Sequence, residues 1–287
     1  MPLGVHVSIA GGVSKSVERA RRLGCDAMQI FGRNPRSWIY TPLPEAEARL
    51  FRTLRKEAGL FPVVVHTNYL INLTAPDDGI FHKSIDMFKK ELGIAEAIGA
   101  DYLVTHLGSP QDMGPAFALK RVSLALLEVA RSGLGRTTRV LLENTSGYGP
   151  GFGSRLDDIG RIIRGAKESG LDAGLCFDTC HAFAAGYSFS TPREADSLAK
   201  RIEAEAGRGS LRVIHLNDSR GGLGSKLDRH ADIGKGAIGA EAFRHFLNHP
   251  KIRKVPMILE TPKDSDEDDL RNLAEARRIL RGIDRLP

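Results

Sequence analysis

Short apolar runs alternate with longer segments of helical periodicity along the whole chain, and no other feature of the sequence constrains the fold as strongly. The runs are rich in aliphatic and β-branched residues, and most of them end in a polar residue, as buried parallel strands do. Eight runs are recognised, at residues 4–8, 27–30, 63–66, 102–106, 140–143, 175–178, 213–215 and 257–260. The other segments predict helices at residues 14–23, 45–58, 82–98, 115–131, 156–169, 193–206, 240–247 and 266–281.

Eight strands, each followed by a helix, predict a closed (β/α)8 barrel formed as a single domain over residues 1–287. An open doubly wound sheet is the alternative, but Gly11 and Gly12 after the first run do not form the GxGxxG pattern of a dinucleotide-binding turn. In a closed barrel the carboxyl ends of all strands meet at one rim, which is where the active sites of this architecture lie.

Composition excludes several classes of protein. A hydrophobic share of 41% with 26% charged residues is typical of a packed globular chain, which excludes disordered and fibrous proteins. No apolar run approaches the ~20 residues that cross a bilayer, and no secretory signal is recognised, so we expect no contact with membranes. Three cysteines cannot form a disulfide framework, which favours the cytoplasm. The net charge of +6 is compatible with a polyanionic partner but does not identify one.

Polar residues of the types that bind divalent transition metals end six consecutive strands. These residues are His66, His106, Glu143, Asp178, His215 and Glu260. A single histidine at a strand end is usually only a polar terminus, but six such residues at one rim indicate a metal site. The loops add His181, three residues after Asp178, and the alternate pair Asp228 and His230.

Nine candidate ligands exceed what one ion needs, because a metal ion takes about four protein or water ligands. With Glu143 as a bridging carboxylate, they predict two or three ions at the rim. The five imidazoles favour zinc, with manganese or iron as alternatives at the more carboxylate-rich position. His6 ends the first strand, and both a structural role and a place at the rim stay open for it. Cys176 is predicted to pack in the core and Cys180 to be a small residue beside the ligands, and neither is assigned to metal.

A metal cluster in the mouth of a barrel predicts hydrolysis or isomerisation, and its charge would suit a phosphodiester. Two loops near the predicted site combine polar, basic and aromatic residues, at positions 31–38 and 68–73. Ile71 and Leu73 are predicted to pack on the barrel, whereas Tyr69 and Leu70 could wedge between base steps. Basic residues suited to phosphates follow the seventh strand: Arg220, Lys226, Arg229 and Lys235.

The ordered motifs of the chain resemble those of the endonuclease IV family, the metal-dependent apurinic/apyrimidinic endonucleases of base-excision repair. They run from Gly4 to Glu260 as GVHVSIAGG, RNPRSW, HTNYLINL, THLGS, LENTSGYG, FDTCHAFAAGY, HLND, DRH with GKGAIG, and LET. The segment DTCHAFAAGY and the ordered set of nine ligands make the resemblance specific. Two positions depart from the family's common pattern, Leu107 in place of proline and Lys235 in place of glutamate, and neither is a ligand.

The resemblance implies a (β/α)8 barrel that holds three zinc ions. It assigns His66 and His106 to the first ion and makes Glu143 the bridge between the first and second ions. The second ion is then completed by Asp178, His215 and Glu260, and the third is held by His181, Asp228 and His230. It also implies that Arg36, Tyr69 and Leu70 enter the minor groove and fill the gap left by a flipped abasic nucleotide.

The implied reaction is hydrolysis of the phosphodiester 5′ to an abasic site in double-stranded DNA, in which Glu143 is catalytic. It leaves a 3′-hydroxyl and a 5′-deoxyribose phosphate, and the family also trims blocked 3′ ends. We expect the protein to act as a monomer. One alternative is a sugar-phosphate isomerase or epimerase, which needs only Glu143, Asp178, His215 and Glu260 as ligands. The other is a non-catalytic damage-binding protein with closed structural zinc sites.

Overall fold

The computed structural model of the protein describes residues 1–281. The strands are β1 (Leu3–His6), β2 (Ala27–Phe31), β3 (Val63–His66), β4 (Tyr102–Thr105), β5 (Arg139–Glu143), β6 (Ala173–Asp178), β7 (Leu211–His215), β8 (Asp218–Ser219), β9 (His230–Ala231) and β10 (Met257–Leu259). The helices are α1 (Ser14–Arg22), α2 (Glu45–Ala58), α3 (Asp78–Ala97), α4 (Gly114–Arg131), α5 (Leu156–Glu168), α6 (Thr179–Ala184), α7 (Pro192–Arg201), α8 (Gly239–Leu247) and α9 (Asp266–Arg281).

Eight parallel strands close a barrel in the order β1-β2-β3-β4-β5-β6-β7-β10, and β10 pairs with β1. This confirms the predicted (β/α)8 barrel. The predicted domain limits, 1–287, extend past residue 281 and so lie partly outside the described residues. Within residues 1–281, no helix has both the length and the apolar character needed to cross a membrane.

The two faces of the barrel strands bury different cores. Inside the barrel, a separate cluster of small and branched side chains fills the interior: Ala27, Val64, Val104, Leu141, Cys176, Val213 and Ile258. The outer faces of the strands pack against the helices in one larger apolar cluster. A filled barrel is a rigid platform, and it fixes the positions of the loops at its carboxyl-terminal rim.

The structure corrects several predicted boundaries. β4 ends at Thr105 and β10 at Leu259, so His106 and Glu260 directly follow their strands instead of ending them. The sequence predicts a loop after β6, but this segment forms the short helix α6, because the Asp178 carboxylate caps it by accepting a hydrogen bond from the His181 backbone N–H at 2.7 Å. The sequence analysis also does not predict the antiparallel pair of β8 and β9.

Candidate metal centre

The nine predicted ligands meet at the carboxyl-terminal rim of the barrel. Ligand atoms of these residues lie within 4.8 Å of one another in three groups: His66 with His106 and Glu143; Glu143 with Asp178, His215 and Glu260; and Asp178 with His181 and His230. A fourth group joins the buried Cys176, which was not predicted as a ligand, to Glu143 and His215. Asp228 joins the group of His181 and His230, since its Oδ1 lies 3.2 Å from His181 Nε2. The structure therefore brings together every residue that the sequence singled out as a ligand.

Glu143 lies at the centre of the cluster, and its side chain is fully buried. Its Oε2 atom is 3.1 Å from His66 Nε2 and 3.5 Å from His106 Nε2. Its Oε1 atom is 3.1 Å from His215 Nδ1 and 3.4 Å from His181 Nδ1. Because Oε2 faces His66 and His106 whereas Oε1 faces His215, the carboxylate has the geometry of a bridge between two cation positions.

The remaining ligand atoms extend the cluster to either side of Glu143. His215 Nδ1 lies 3.2 Å from Glu260 Oε2, toward β10. On the other side, His230 Nε2 lies 3.8 Å from Asp178 Oδ2 and 3.8 Å from Asp228 Oδ1. Asp228 is the most open of these ligands, with 52% of its side chain exposed.

The hydrogen bonds of the histidines fit a cluster of divalent cations. Three rings donate from Nδ1 to a backbone carbonyl: His66 to Thr67 at 2.7 Å, His181 to Asn144 at 3.0 Å and His230 to Glu260 at 2.9 Å. Donation from Nδ1 leaves the lone pair of the neutral ring on Nε2, which faces the cluster. The Nε2 atom of His230 is buried and has no hydrogen-bond partner among the described residues, as expected of a nitrogen that binds a cation.

Gln29, which was not predicted as part of the site, orients two ligands. Its Oε1 accepts a hydrogen bond from His215 Nε2 at 2.8 Å, which turns Nδ1 of that ring toward the cluster. Its amide nitrogen donates to Glu260 Oε1 at 2.6 Å and to His6 Nδ1 at 3.0 Å. The sequence signal that could have revealed it is a glutamine inside the apolar run 27–30, because a buried amide needs hydrogen-bond partners.

Asn217 and Asp218, in the HLND motif, fix the cluster from the other side. Asn217 Nδ2 donates to Asp178 Oδ2 at 2.6 Å, while its Oδ1 accepts from the Glu260 backbone N–H at 2.8 Å. The buried Asp218 carboxylate accepts hydrogen bonds from the backbone N–H groups of Gly236 and Ile238, both at 3.0 Å. These contacts hold the Asp178 carboxylate and the loop after β9 in place.

Within the cluster, buried carboxylates face buried imidazoles, and each group shifts the pKa of the other. Burial acts to raise the pKa of Glu143 and of Glu260, but the facing imidazoles outweigh it and hold both values well below the ordinary range. Burial acts to lower the pKa of His181 and of His215, but the carboxylates around them hold both values well above 6.5. Protons on these rings therefore compete with cations for the same carboxylates.

This competition predicts how pH affects the stability of the metal-free protein. Because the folded pKa of His181 and His215 is raised, their protonation stabilises the fold fully below pH 6.5, and the stabilisation is lost as the pH rises through the folded values. The carboxyl groups of Glu143 and Glu260, whose pKa is lowered, contribute stability that is present above pH 4.5. Above pH 6.5 we therefore expect the melting temperature of the chelated protein to fall as these two rings lose their protons.

The metal-loaded protein is the control for this prediction. Bound cations replace the protons, and higher pH favours their binding because it deprotonates the ligands. The gap between the melting temperatures of the loaded and chelated forms should therefore widen with pH, as measured by scanning calorimetry. If the melting temperatures of the loaded and chelated forms changed with pH by the same amount, competition between protons and cations would be contradicted.

The three predicted DNA-contact residues lie on neighbouring loops beside the cluster. Arg36 is exposed, Tyr69 is 60% exposed, and Leu70 is half-buried. The Tyr69 backbone N–H donates to the Pro35 carbonyl at 3.1 Å, which joins the loops after β2 and β3. The Tyr69 ring packs edge-on against Phe31 at 5.3 Å between centroids. Aromatic and basic side chains are thus presented together at the rim.

The other loop residues also have defined places. Ile71 and Leu73 are buried, as predicted. The four basic residues predicted to suit phosphates, Arg220, Lys226, Arg229 and Lys235, are all exposed. Of the two departures from the family pattern, Leu107 is buried, whereas Lys235 has its Nζ atom 3.8 Å from Asp232 Oδ2.

A buried ion pair supports these loops from below. Arg33 Nη1 lies 3.3 Å from Glu91 Oε1, and both side chains are buried. The other Glu91 oxygen accepts a hydrogen bond from the Asn68 backbone N–H at 3.0 Å, and Arg33 Nη2 donates to the Ser37 carbonyl at 2.6 Å. Glu91 in α3 therefore ties the loop after β2 to the loop after β3. The sequence analysis did not anticipate this pair, whose members are far apart in the chain.

Comparison with known proteins was made against family models, curated sequences and solved structures. A family model described as a xylose isomerase-like TIM barrel matches residues 17–283. A probable endonuclease 4 from Chloroflexus aurantiacus is 42% identical over 282 residues, covering 98% of this chain and 99% of that protein. A probable endonuclease 4 from Methanoculleus marisnigri is 43% identical over 279 residues, covering 96% of this chain and 98% of that protein.

Two solved structures superpose on this chain over almost its whole length. The crystal structure of endonuclease IV from Thermus thermophilus superposes with a TM-score of 0.87 at 35% identity, covering 98% of this chain and all of that chain. A D-tagatose 3-epimerase-like protein superposes with a TM-score of 0.73 at 17% identity, covering 99% of this chain and 98% of that one. At that identity the second likeness concerns the fold alone.

Proposed function

The chain belongs to the endonuclease IV family, and on that premise we propose that it hydrolyses the phosphodiester 5′ to abasic sites in double-stranded DNA. The products are a 3′-hydroxyl and a 5′-deoxyribose phosphate, and the same centre trims blocked 3′ ends. The observation that carries the proposal is the position of Glu143, whose Oε2 faces His66 and His106 whereas its Oε1 faces His215. The cluster around this bridge suits a substrate with a concentrated negative charge.

Three zinc ions fit the donor set best, because five of the nine ligands are imidazoles. Manganese or iron are alternatives at the group with three carboxylates, formed by Glu143, Asp178, His215 and Glu260. Bound divalent ions supply a water of lowered pKa as nucleophile and neutralise charge on the phosphodiester. Gln29 and Asn217 keep the ligands in the required orientation, which commonly matters ~10- to 100-fold for metal affinity or activity.

The DNA-contact residues give the proposal its selectivity for abasic sites. Arg36, Tyr69 and Leu70 would enter the minor groove and fill the gap left by the extruded nucleotide. The cavity beside the cluster has a volume of about 380 Å³ and is lined in part by Phe31 and Tyr69. A nucleotide without a base costs least to extrude from the duplex, so such a cavity would receive it preferentially.

The test is a nicking assay with the purified, metal-loaded protein. The substrate is a duplex that carries one tetrahydrofuran abasic analogue, and the matched control is the same duplex with an intact nucleotide at that position. We expect one nick immediately 5′ to the analogue, with a 3′ end that a polymerase can extend. An intact substrate, in the presence of protein shown to contain metal, would overturn the proposal.

A further inference from the structure

The cavity beside the metal centre has a wall that contains no predicted metal ligand. His6, Thr261 and Lys263 form this wall, on the side of β1 and β10, and the ring of Phe31 borders it. His6 packs against Phe31 with 4.4 Å between ring centroids, so the orientation of its imidazole is fixed. The wall belongs to the same cavity as the cluster, but none of the functions assigned so far uses it.

Two polar atoms of this wall are buried without a hydrogen-bond partner among residues 1–281. They are His6 Nε2 and Thr261 Oγ1. Native proteins leave few buried polar atoms unsatisfied, so each one calls for a ligand or an ordered water. The unpaired His230 Nε2 in the same cavity is accounted for by the metal centre, whereas no cation position accounts for the other two.

The hydrogen bonds around Gln29 define which nitrogen of His6 carries the proton. Gln29 Oε1 accepts from His215, so the amide NH₂ is the group that points at His6. It donates to His6 Nδ1 at 3.0 Å and to Glu260 Oε1 at 2.6 Å. His6 Nδ1 is therefore an acceptor, and Nε2 carries an N–H that has no acceptor among the described residues.

The third member of the wall adds positive charge. Lys263 Nζ donates to the His6 carbonyl at 2.6 Å and to Asp269 Oδ2 at 2.7 Å, which leaves one N–H of the ammonium group. An imidazole N–H, a hydroxyl and an ammonium group are all donors, and together they favour an anionic oxygen as ligand. In DNA that oxygen belongs to a phosphate.

We propose that His6 Nε2 and Thr261 Oγ1 donate hydrogen bonds to a non-bridging oxygen of a DNA phosphate next to the scissile one. The inference rests on the proposed function and names two substrate-binding residues for it. These contacts hold the backbone of the extruded nucleotide at the wall of the cavity formed beside β1 and β10. They explain why two buried donors are left without partners in the protein alone.

Thr261→Val is the main test, because it removes the hydroxyl and preserves the shape of the side chain. A hydroxyl without a protein partner contributes nothing to the fold, so the melting temperature should stay the same or rise. The Kd for the tetrahydrofuran duplex should increase about tenfold, the loss expected for one hydrogen bond to a charged group. Thr261→Ser keeps the hydroxyl and should restore the affinity. A lower melting temperature with an unchanged Kd would assign the hydroxyl a structural role.

His6 provides an independent pair of variants. In His6→Asn the amide oxygen takes the place of Nδ1 and keeps the bond from Gln29, but no donor reaches the position of Nε2. In His6→Gln the amide nitrogen can reach that position. We expect about tenfold weaker binding for the asparagine variant and near-normal binding for the glutamine variant. Equal affinities of the two variants would remove His6 from the contact. Metal content is measured for each variant, because Glu260 adjoins both sites.

Methylphosphonate substitution in the DNA identifies the acceptor. Each phosphate that neighbours the scissile one is replaced in turn by the neutral analogue, and the Kd is measured for the wild type and for Thr261→Val. At the contacted phosphate, the losses of binding free energy caused by the methylphosphonate and by Thr261→Val should not add. Full additivity at both neighbours would overturn the assignment to a phosphate. Nicking of unmodified abasic DNA by the wild type is scored separately, so failure of the proposed function is distinguished from failure of this contact.

Discussion

Glu143→Gln is expected to lower the rate of nicking at an abasic analogue by about a thousandfold or more, with the barrel intact. The carboxylate has two equivalent oxygens, and they face different imidazoles. An amide offers only one oxygen, so its NH₂ group would face either His66 and His106 or His215, and one cation position would lose its carboxylate ligand. The measurement is the single-turnover nicking rate, together with the metal content and the melting temperature.

Glu128→Gln is a matched control for this substitution. Glu128 lies in α4 on the outside of the barrel, where it pairs with Lys89 at 3.4 Å. The change is chemically the same, so the nicking rate of this variant should equal that of the wild type. If Glu143→Gln retained its metal and nicked within about tenfold of the wild-type rate, Glu143 would lose its central role in the proposal.

The barrel and the composition of its rim were predictable from the sequence because both follow from local patterns. Apolar runs bounded by polar residues mark the strands, and closure brings the carboxyl ends of all strands together. His66 and Asp178 could therefore be placed at one site without knowledge of any long-range contact. The family resemblance added the grouping of the ligands around Glu143, which the observed distances support.

Local patterns could not predict the contacts that orient the ligands. Gln29 contacts His215 and Glu260, which follow it by most of the length of the chain, and Glu91 in α3 pairs with Arg33 in the loop after β2. Such pairings depend on the exact register of the barrel. The helix α6 was missed for a different reason, because its N-cap is Asp178, itself a predicted ligand. One carboxylate thus serves both the cluster and the helix that carries His181.

The ligands at the rim also distinguish the proposed nuclease function from that of an isomerase. A sugar isomerase or epimerase with this fold would use the group formed by Glu143, Asp178, His215 and Glu260, and the likeness to the epimerase-like protein concerns the fold alone. In this chain His66 and His106 face the other oxygen of Glu143, and His181, Asp228 and His230 form a further group. These additional groups suit more than one cation, so metal stoichiometry separates the two functions.

Removal of the metal is expected to abolish nicking and to lower the melting temperature on the order of 10 °C near neutral pH. The rate should fall by more than about a thousandfold, because the remaining side chains offer no water of lowered pKa. Mass spectrometry of the protein before chelation should give three zinc ions per chain, and adding zinc back should restore both the rate and the melting temperature. One or two exchangeable manganese or magnesium ions per chain in place of three zinc ions, with no nicking by the loaded protein, would favour the isomerase.

Asp228→Asn tests one predicted ligand through the number of zinc ions that the variant binds per chain. Asp228 is half-exposed and lies 3.2 Å from His181 Nε2, so its loss should release the third ion and leave the two around the buried Glu143 in place. We expect about two zinc ions per chain in this variant and a nicking rate reduced by about a hundredfold or more, because the charge that opposes the leaving oxygen is lost. A variant that kept three ions would exclude Asp228 as a ligand. If the variant held two ions and nicked at the full rate, the third position would be structural and would take no part in the reaction.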